Sequence, residues 1–254
     1  MHLYDILKSR RLHSLKEKVR MLFPEFLMLF LAVFLGFIAD NIRDGFVEKS
    51  IEKDYVRSLL KDIEIDKIKI RETMSFNEYR IKKLDTLSDL GFTYNQHKDD
   101  KALYMSYEGL SGDPVFFIPN EQTLRQLNYS SGLRLLSSKA VVRAILEYDY
   151  RKQELKRQQE DYDFIYKQTS NLGLRIFNQF PFKAKAQYRR RTGQISTKAI
   201  TQKLLSNDTI LINEFANKVY IYQSNVEYYN VMLEDAWFSA DSLTKKIKKE
   251  YRIN

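Results

Sequence analysis

Residues 207–250 read NDTILINEFANKVYIYQSNVEYYNVMLEDAWFSADSLTKKIKKE, and within them Ile212, Phe215, Val219, Tyr222, Val226, Tyr229, Leu233, Ala236, Ala240, Leu243 and Ile247 alternate steps of three and four without a polar exception. That rhythm predicts an amphipathic helix with a seam of about five heptads, about 55 Å long at the α-helical rise. Ser206, Asn207 and Asp208 are capping candidates at its start, and Lys245, Lys246, Lys248 and Lys249 stand at its end, where cations oppose the helix dipole. Such a seam is expected to form the core of the chain's own bundle; a homo-oligomeric coiled coil is the alternative.

The same rhythm extends to earlier segments. Val56, Leu60, Ile63, Ile70, Met74, Ile81 and Leu84 mark a helix over about residues 46–90, its stripe interrupted at Lys67 and Asn77, with Gly91 placed as a left-handed stop. Residues 92–118 are mixed and hold Gly109, Gly112 and Pro114, a connection with at most one short helix near 99–107. Pro119 and Asn120 restart a short helix over about 120–130, with Asn120 as its cap, and Ser130, Ser131 and Gly132 break it. Another long helix is expected over about 139–180, with Val141, Ile145, Tyr148, Leu155, Tyr162, Ile176 and Phe180 on one side. Pro181 then opens a basic connection in which Lys183, Lys185, Arg189, Arg190 and Arg191 have two aromatic neighbours, Phe182 and Tyr188. A solvated loop is the expectation there, and contact with anionic lipid or nucleic acid the alternative.

Composition agrees with long helices. Eight Gly and four Pro in 254 residues leave few turn formers, while 17 Tyr and 16 Phe supply bulk for helix packing. The absence of cysteine removes disulfides, thiolate metal sites and cysteine nucleophiles.

Residues 21–39 read MLFPEFLMLFLAVFLGFIA. At 1.5 Å per residue this is about 28 Å, close to the hydrocarbon thickness of a bilayer, provided that Glu25 lies near the interface. Before it, Lys8, Arg10, Arg11, Lys16, Lys18 and Arg20 outweigh Asp5 and Glu17; after it, residues 40–54 hold five acids and three bases. The positive-inside rule then puts a tail of residues 1–20 in the cytoplasm, a transmembrane helix at 21–41 and the remaining 42–254 on the other side. A cleaved signal peptide competes, but Phe37 and Ala39 lack the small-x-small pattern of a cleavage site. Glu25 is the one ionisable residue in the window, expected at head-group level, with hydrogen bonding between membrane helices as the alternative. Part of the formal charge of +9 is thus explained by the tail.

EFLMLFLAVFLGFIADNIRD followed by EKDYVRSLLKDIEID, together with QLNYSSGLRLLSSKAVVRAILEYD, resembles an uncharacterised family of single-pass envelope proteins common in Bacteroidota. In that family the anchor opens with an acid, matched here by Glu25, and ends in a polar pair, matched by Asp40 and Asn41; a second motif is matched by Ser131, Gly132, Leu133, Arg134 and Leu135. The resemblance covers about residues 22–66 and 119–150. It implies a bacterial inner-membrane anchor with a periplasmic helical domain, and carries no activity.

Chemistry is sparse. His2, His13 and His97 are the only histidines, two of them in the tail, so neither a histidine metal pair nor a nucleophilic dyad is available. No phosphate-binding glycine loop occurs, and Ser131-Gly132 lacks the context of a nucleophile elbow. Asp62 and Asp66 stand one helical turn apart, a spacing expected on a solvated face. The expectation is therefore an all-α protein without cofactor or metal: a non-catalytic interaction or scaffold subunit of a cell-envelope complex, whose partners are the lipid bilayer and a protein or a second copy of itself. A ligand-sensing periplasmic bundle that signals through a separate output protein is the alternative, and nucleic acid is not an expected partner.

Overall fold

The computed structural model of the chain describes residues 2–129, 132–182, 184, 187, 191 and 203–253, with side chains from Phe23 onward. The described residues are helical with no strand. They divide into two units, residues 1–55 and 56–254.

The first unit is the N-terminal part of α1 (His2–Phe92). Its apolar window is exposed: Phe23, Phe26, Met28, Leu29 and Phe37 are all more than half exposed. Phe26, Phe30 and Phe34 stack along one side, with ring centroids 6.4 and 5.9 Å apart, as side chains four residues apart in a helix do. By length and composition this helix can cross a membrane.

The second unit packs the C-terminal part of α1 with α5 (Lys139–Gly173) and α6 (Thr209–Tyr251). Between α1 and α6 the contacts Lys67 to Asp241, Asn77 to Asn230 and Arg80 to Tyr222 run in opposite senses, so the two are antiparallel. Gln159 to Tyr229 and Thr169 to Lys218 show α5 antiparallel to α6 as well. The connection between α1 and α5 holds α2 (Tyr94–His97), α3 (Asp100–Ser106) with a 3-10 turn at Tyr107–Gly109, α4 (Gln122–Tyr129) and a 3-10 turn at Gly132–Arg134.

All eleven seam residues of α6 are fully buried within this unit. Asp208 caps the helix by accepting from the Ile210 N–H at 2.9 Å. The apolar core forms two clusters. One contains Val56, Leu59, Ile63, Ile145, Leu243 and Ile247; the other runs from Ile70 and Leu155 through Tyr162, Tyr222 and Tyr229. In α1, Asp66 falls between the two, at the position where an apolar residue would have joined them.

Two element ends differ from the sequence expectation. Gly91 does not stop α1, which continues to Phe92; a Cβ on Gly91 would lie 2.7 Å from the Ala216 Cβ, so the glycine lets α1 and α6 approach closely. The left-handed residue that ends the helical run is Lys98, after α2. Helix α5 stops at Gly173 instead of continuing to about 180, because the N–H groups of Ile176 and Phe177 turn back onto the Gly173 carbonyl at 3.0 and 2.8 Å. That turn buries both side chains and stacks Phe177 on Tyr107 with centroids 4.0 Å apart. Phe180, expected on the α5 stripe, is consequently 70% exposed.

Substituting Gly91→Val forces α1 away from α6. A loss of about 1–3 kcal/mol is expected for such overpacking, read as a lower midpoint in thermal unfolding followed by circular dichroism, with partial recovery when Ala216→Gly is added.

Candidate functional site

The buried register of α1 is Val56, Leu59, Ile63, Asp66, Ile70, Thr73, Asn77, Arg80, Leu84 and Leu87, an unbroken alternation of threes and fours. Its middle is polar, so the apolar stripe read from the sequence was drawn partly through half-buried neighbours: Leu60, Met74 and Ile81 flank the true seam. A buried polar group needs a partner: Thr73 donates to the Lys69 carbonyl of its own helix at 2.9 Å, and Asp66, Asn77 and Arg80 find theirs on other elements. The Asn77 amide donates to Asn230 Oδ1 at 2.9 Å, and the half-buried Lys67 reaches Asp241 at 2.9 Å.

Asp62 and Asp66, expected on a solvated face, are 9% and 1% exposed. Asp66 accepts from the Asn120 N–H at 2.7 Å and from the Tyr148 hydroxyl at 2.9 Å. Asp62 accepts from the Asn120 side-chain amide at 2.9 Å and from the Thr123 N–H at 3.0 Å. The first turn of α4 is thus capped largely from α1, while Asn120 itself accepts from the Gln122 N–H at 3.4 Å. Burial pushes the Asp66 carboxyl above 3.8, against the hydrogen bonds from Asn120 and Tyr148 and the positive field of Lys152. The pair acts as an anchor for the Pro119-Asn120 turn.

Arg80 is 3% exposed. It donates to the Tyr222 hydroxyl at 2.8 Å and to the carbonyls of Gly112 and Asp113 at 3.1 and 2.6 Å. Tyr222 in turn donates to Tyr162, whose ring lies against Tyr229, and Gln159 links the Tyr229 hydroxyl to the Phe117 carbonyl. Burial opposes the guanidinium charge, but the phenolic oxygens of Tyr222 and Tyr162 favour it and its pKa lies above the ordinary arginine value. This chain of bonds fixes residues 112–117 onto all three long helices. It explains why a connection with glycine and proline in it is packed instead of loose.

A groove of about 1210 Å³ lies between α5 and residues 117–125. Its floor includes Phe117, Leu155 and Gln159, and its rim carries Arg125, Lys156 and Arg157. Arg125 is engaged by Glu121 at 2.6 Å. The buried Lys152 also lines it.

The other residues singled out in the sequence are distributed as follows. Glu25, Asp40 and Asn41 are exposed on α1, with Asp40 3.3 Å from Arg43. Gly132, Leu133 and Arg134 form the 3-10 turn, closed by the Leu135 N–H on the Gly132 carbonyl, and this turn packs Leu133 against the smaller core. Of the motif, Ser131 lies outside the described residues, as do Lys183, Lys185, Arg189 and Arg190 of the basic connection; Arg191 is exposed, and like Phe180, Pro181, Phe182, Ala184 and Gln187 it is helical, where a loop opened by Pro181 was expected. Within the second unit Leu133 of the motif packs against the cluster that holds the seam residues Ala240, Leu243 and Ile247. Among the described residues no cluster of three or more His, Asp or Glu side chains is placed to hold a metal ion. No family model, curated protein or solved structure matches the chain.

Two measurements check the polar seam. Replacing Arg80 with Met leaves two carbonyls and a buried phenol without their donor, at a cost of about 2–4 kcal/mol; Tyr222→Phe costs less, and in the double variant the two losses combine to less than their sum, measured by denaturant unfolding in mild detergent. For Asp66, a folded-state pKa raised above 3.8 means that the folded chain binds the proton more tightly. The stability of the wild type relative to Asp66→Asn therefore grows as pH falls through the raised folded value towards 3.8, and is level at higher pH. A difference that shrinks over that window contradicts the assignment.

Proposed function

We propose that this chain is a non-catalytic, single-pass membrane subunit that holds or spaces a cell-envelope complex, with its first twenty residues in the cytoplasm and its helical domain on the other side of the bilayer. The basic tail and the acid-richer stretch after the apolar window support that orientation. An apolar window with no part buried inside the chain favours a lipid environment over the core helix of a soluble protein.

The observation that carries the interaction reading is on α6. Its inner seam is consumed by the chain's own bundle, yet the opposite face repeats the rhythm through Ile221, Ser224, Tyr228, Val231, Asp235 and Phe238. On it Tyr220, Ile221, Tyr228, Val231 and Phe238 are 46–58% exposed. A second apolar stripe in steps of three and four is what a partner helix packs against. The polar members Ser224 and Asp235 limit its attraction for nonspecific contacts.

The test is the mass and protein composition of the full-length chain extracted from its native membranes in mild detergent. Co-purifying proteins in fixed ratio are expected, and Ile221→Glu with Tyr228→Glu should release them while the helical circular-dichroism signal stays unchanged. A wild-type chain that elutes as a bare monomer, or a complex indifferent to both substitutions, contradicts the reading.

A further inference from the structure

Lys152 occupies a seam position on α5, in the register Ile145, Tyr148, Lys152, Leu155, and is 5% exposed. A buried ammonium normally spends its three N–H donors on carboxylates or carbonyls. Here the described residues offer it one carboxylate, Asp149, at 3.6 Å, beyond hydrogen-bonding distance, and the face of the Tyr148 ring at 5.1 Å. The Asp66 carboxylate, whose charge Lys152 feels, accepts from the Asn120 N–H and the Tyr148 hydroxyl, and the second oxygen of Asp149 accepts from Gln153 at 2.9 Å. Lys152 also lines the groove.

The rest of the groove specifies the other half of a ligand. Phe117, Ile118, Pro119, Tyr150 and Leu155 give it an apolar lining, with Ile118 72% exposed to the opening. Its free charges are Lys156 and Arg157 against Glu160, since Arg125 is neutralised by Glu121. With Lys152 the balance is positive. A volume of about 1210 Å³ exceeds what a small apolar ligand with one polar end requires, and a site between bundle helices with a few convergent polar groups is where such ligands bind.

We propose that this groove binds an anionic amphiphile, a molecule with a carboxylate or phosphate head and an apolar body. Lys152 donates to the head group, and Phe117, Ile118, Tyr150 and Leu155 cover the body. The site is separate from the outer face of α6 and does not depend on the scaffold reading.

The experiment uses the full-length chain in phosphatidylcholine nanodiscs, titrated with the fluorescent fatty acid 11-(dansylamino)undecanoic acid and corrected against empty nanodiscs. Saturable binding is expected, displaced by lauric acid at least ten times more effectively than by lauryl alcohol. Lys152→Gln should abolish that preference for the acid while alcohol competition stays as it was, and Lys152→Arg should restore it. Because Lys152 is buried, a second variant at the opening, Ile118→Glu, reads the same site without disturbing the core; it should weaken the acid probe at least tenfold. Nanodiscs containing phosphatidylglycerol distinguish the sources of the ligand: loss of probe binding there identifies a bilayer lipid, and undiminished binding a free acid. No saturable binding to the wild type, equal competition by acid and alcohol, or an Ile118→Glu variant that binds as the wild type does would overturn the proposal.

Discussion

The domain is organised around polar side chains that α1 places in its own buried register. Asp66, Thr73, Asn77 and Arg80 stand where a bundle helix usually carries leucine or isoleucine. Water is excluded there, so each must meet a protein partner, and the cost of failing is larger than the gain of any one apolar contact. The positions of Asn230 and Tyr222 on α6, of Tyr148 on α5 and of the carbonyls at 112 and 113 follow from that requirement. The connection between α1 and α5 is ordered for the same reason: Arg80 holds it at one place, and Asp62 with Asp66 at another.

The distribution of polarity also decides what could be read from the sequence. The α6 seam was legible because all eleven of its positions are apolar, and the structure buries all eleven. The α1 seam was only partly legible, since an apolar template passes over Thr73 and Arg80 and settles on Met74 and Ile81 beside them. Lys67 and Asn77 looked like defects in the stripe, and both turn out to face partners on α6. Helix α5 carried the same kind of signal at Lys152, a lysine in step with Tyr148 and Leu155, which an apolar count skips. The groove was not legible at all, because it joins residues 117–125 to residues 150–160 across a gap that no periodicity spans. Glycine was misread for a different reason. Gly91 was assigned to a turn from its place after a stripe, whereas its role is the missing Cβ that lets Ala216 approach.

Among the described residues apolar surface remains uncovered along the window from Phe23 to Ile38 and, in the other unit, along the outer face of α6. In water both would be costly at roughly 25 cal/mol per Å² of apolar area left exposed. The first has the length of a membrane helix and the second the rhythm of a helix-packing face. Within the second unit the buried Asp62, Asp66 and Arg80 hold the backbone of the connection between α1 and α5.

A long apolar seam alone does not set the position of one helix along another. Sliding α6 by a heptad, about 10 Å, would pair equivalent seam residues again and cost little in hydrophobic contact. In one direction the slip brings Lys67 opposite Lys248 and Asn77 opposite Trp237; in the other it sets Arg80 opposite Phe215. Each shifted state strands a charge or an amide. A pull along the axis of α6 therefore meets a discrete mechanical stop, and the helices resist creep under tension until the polar pairs break together.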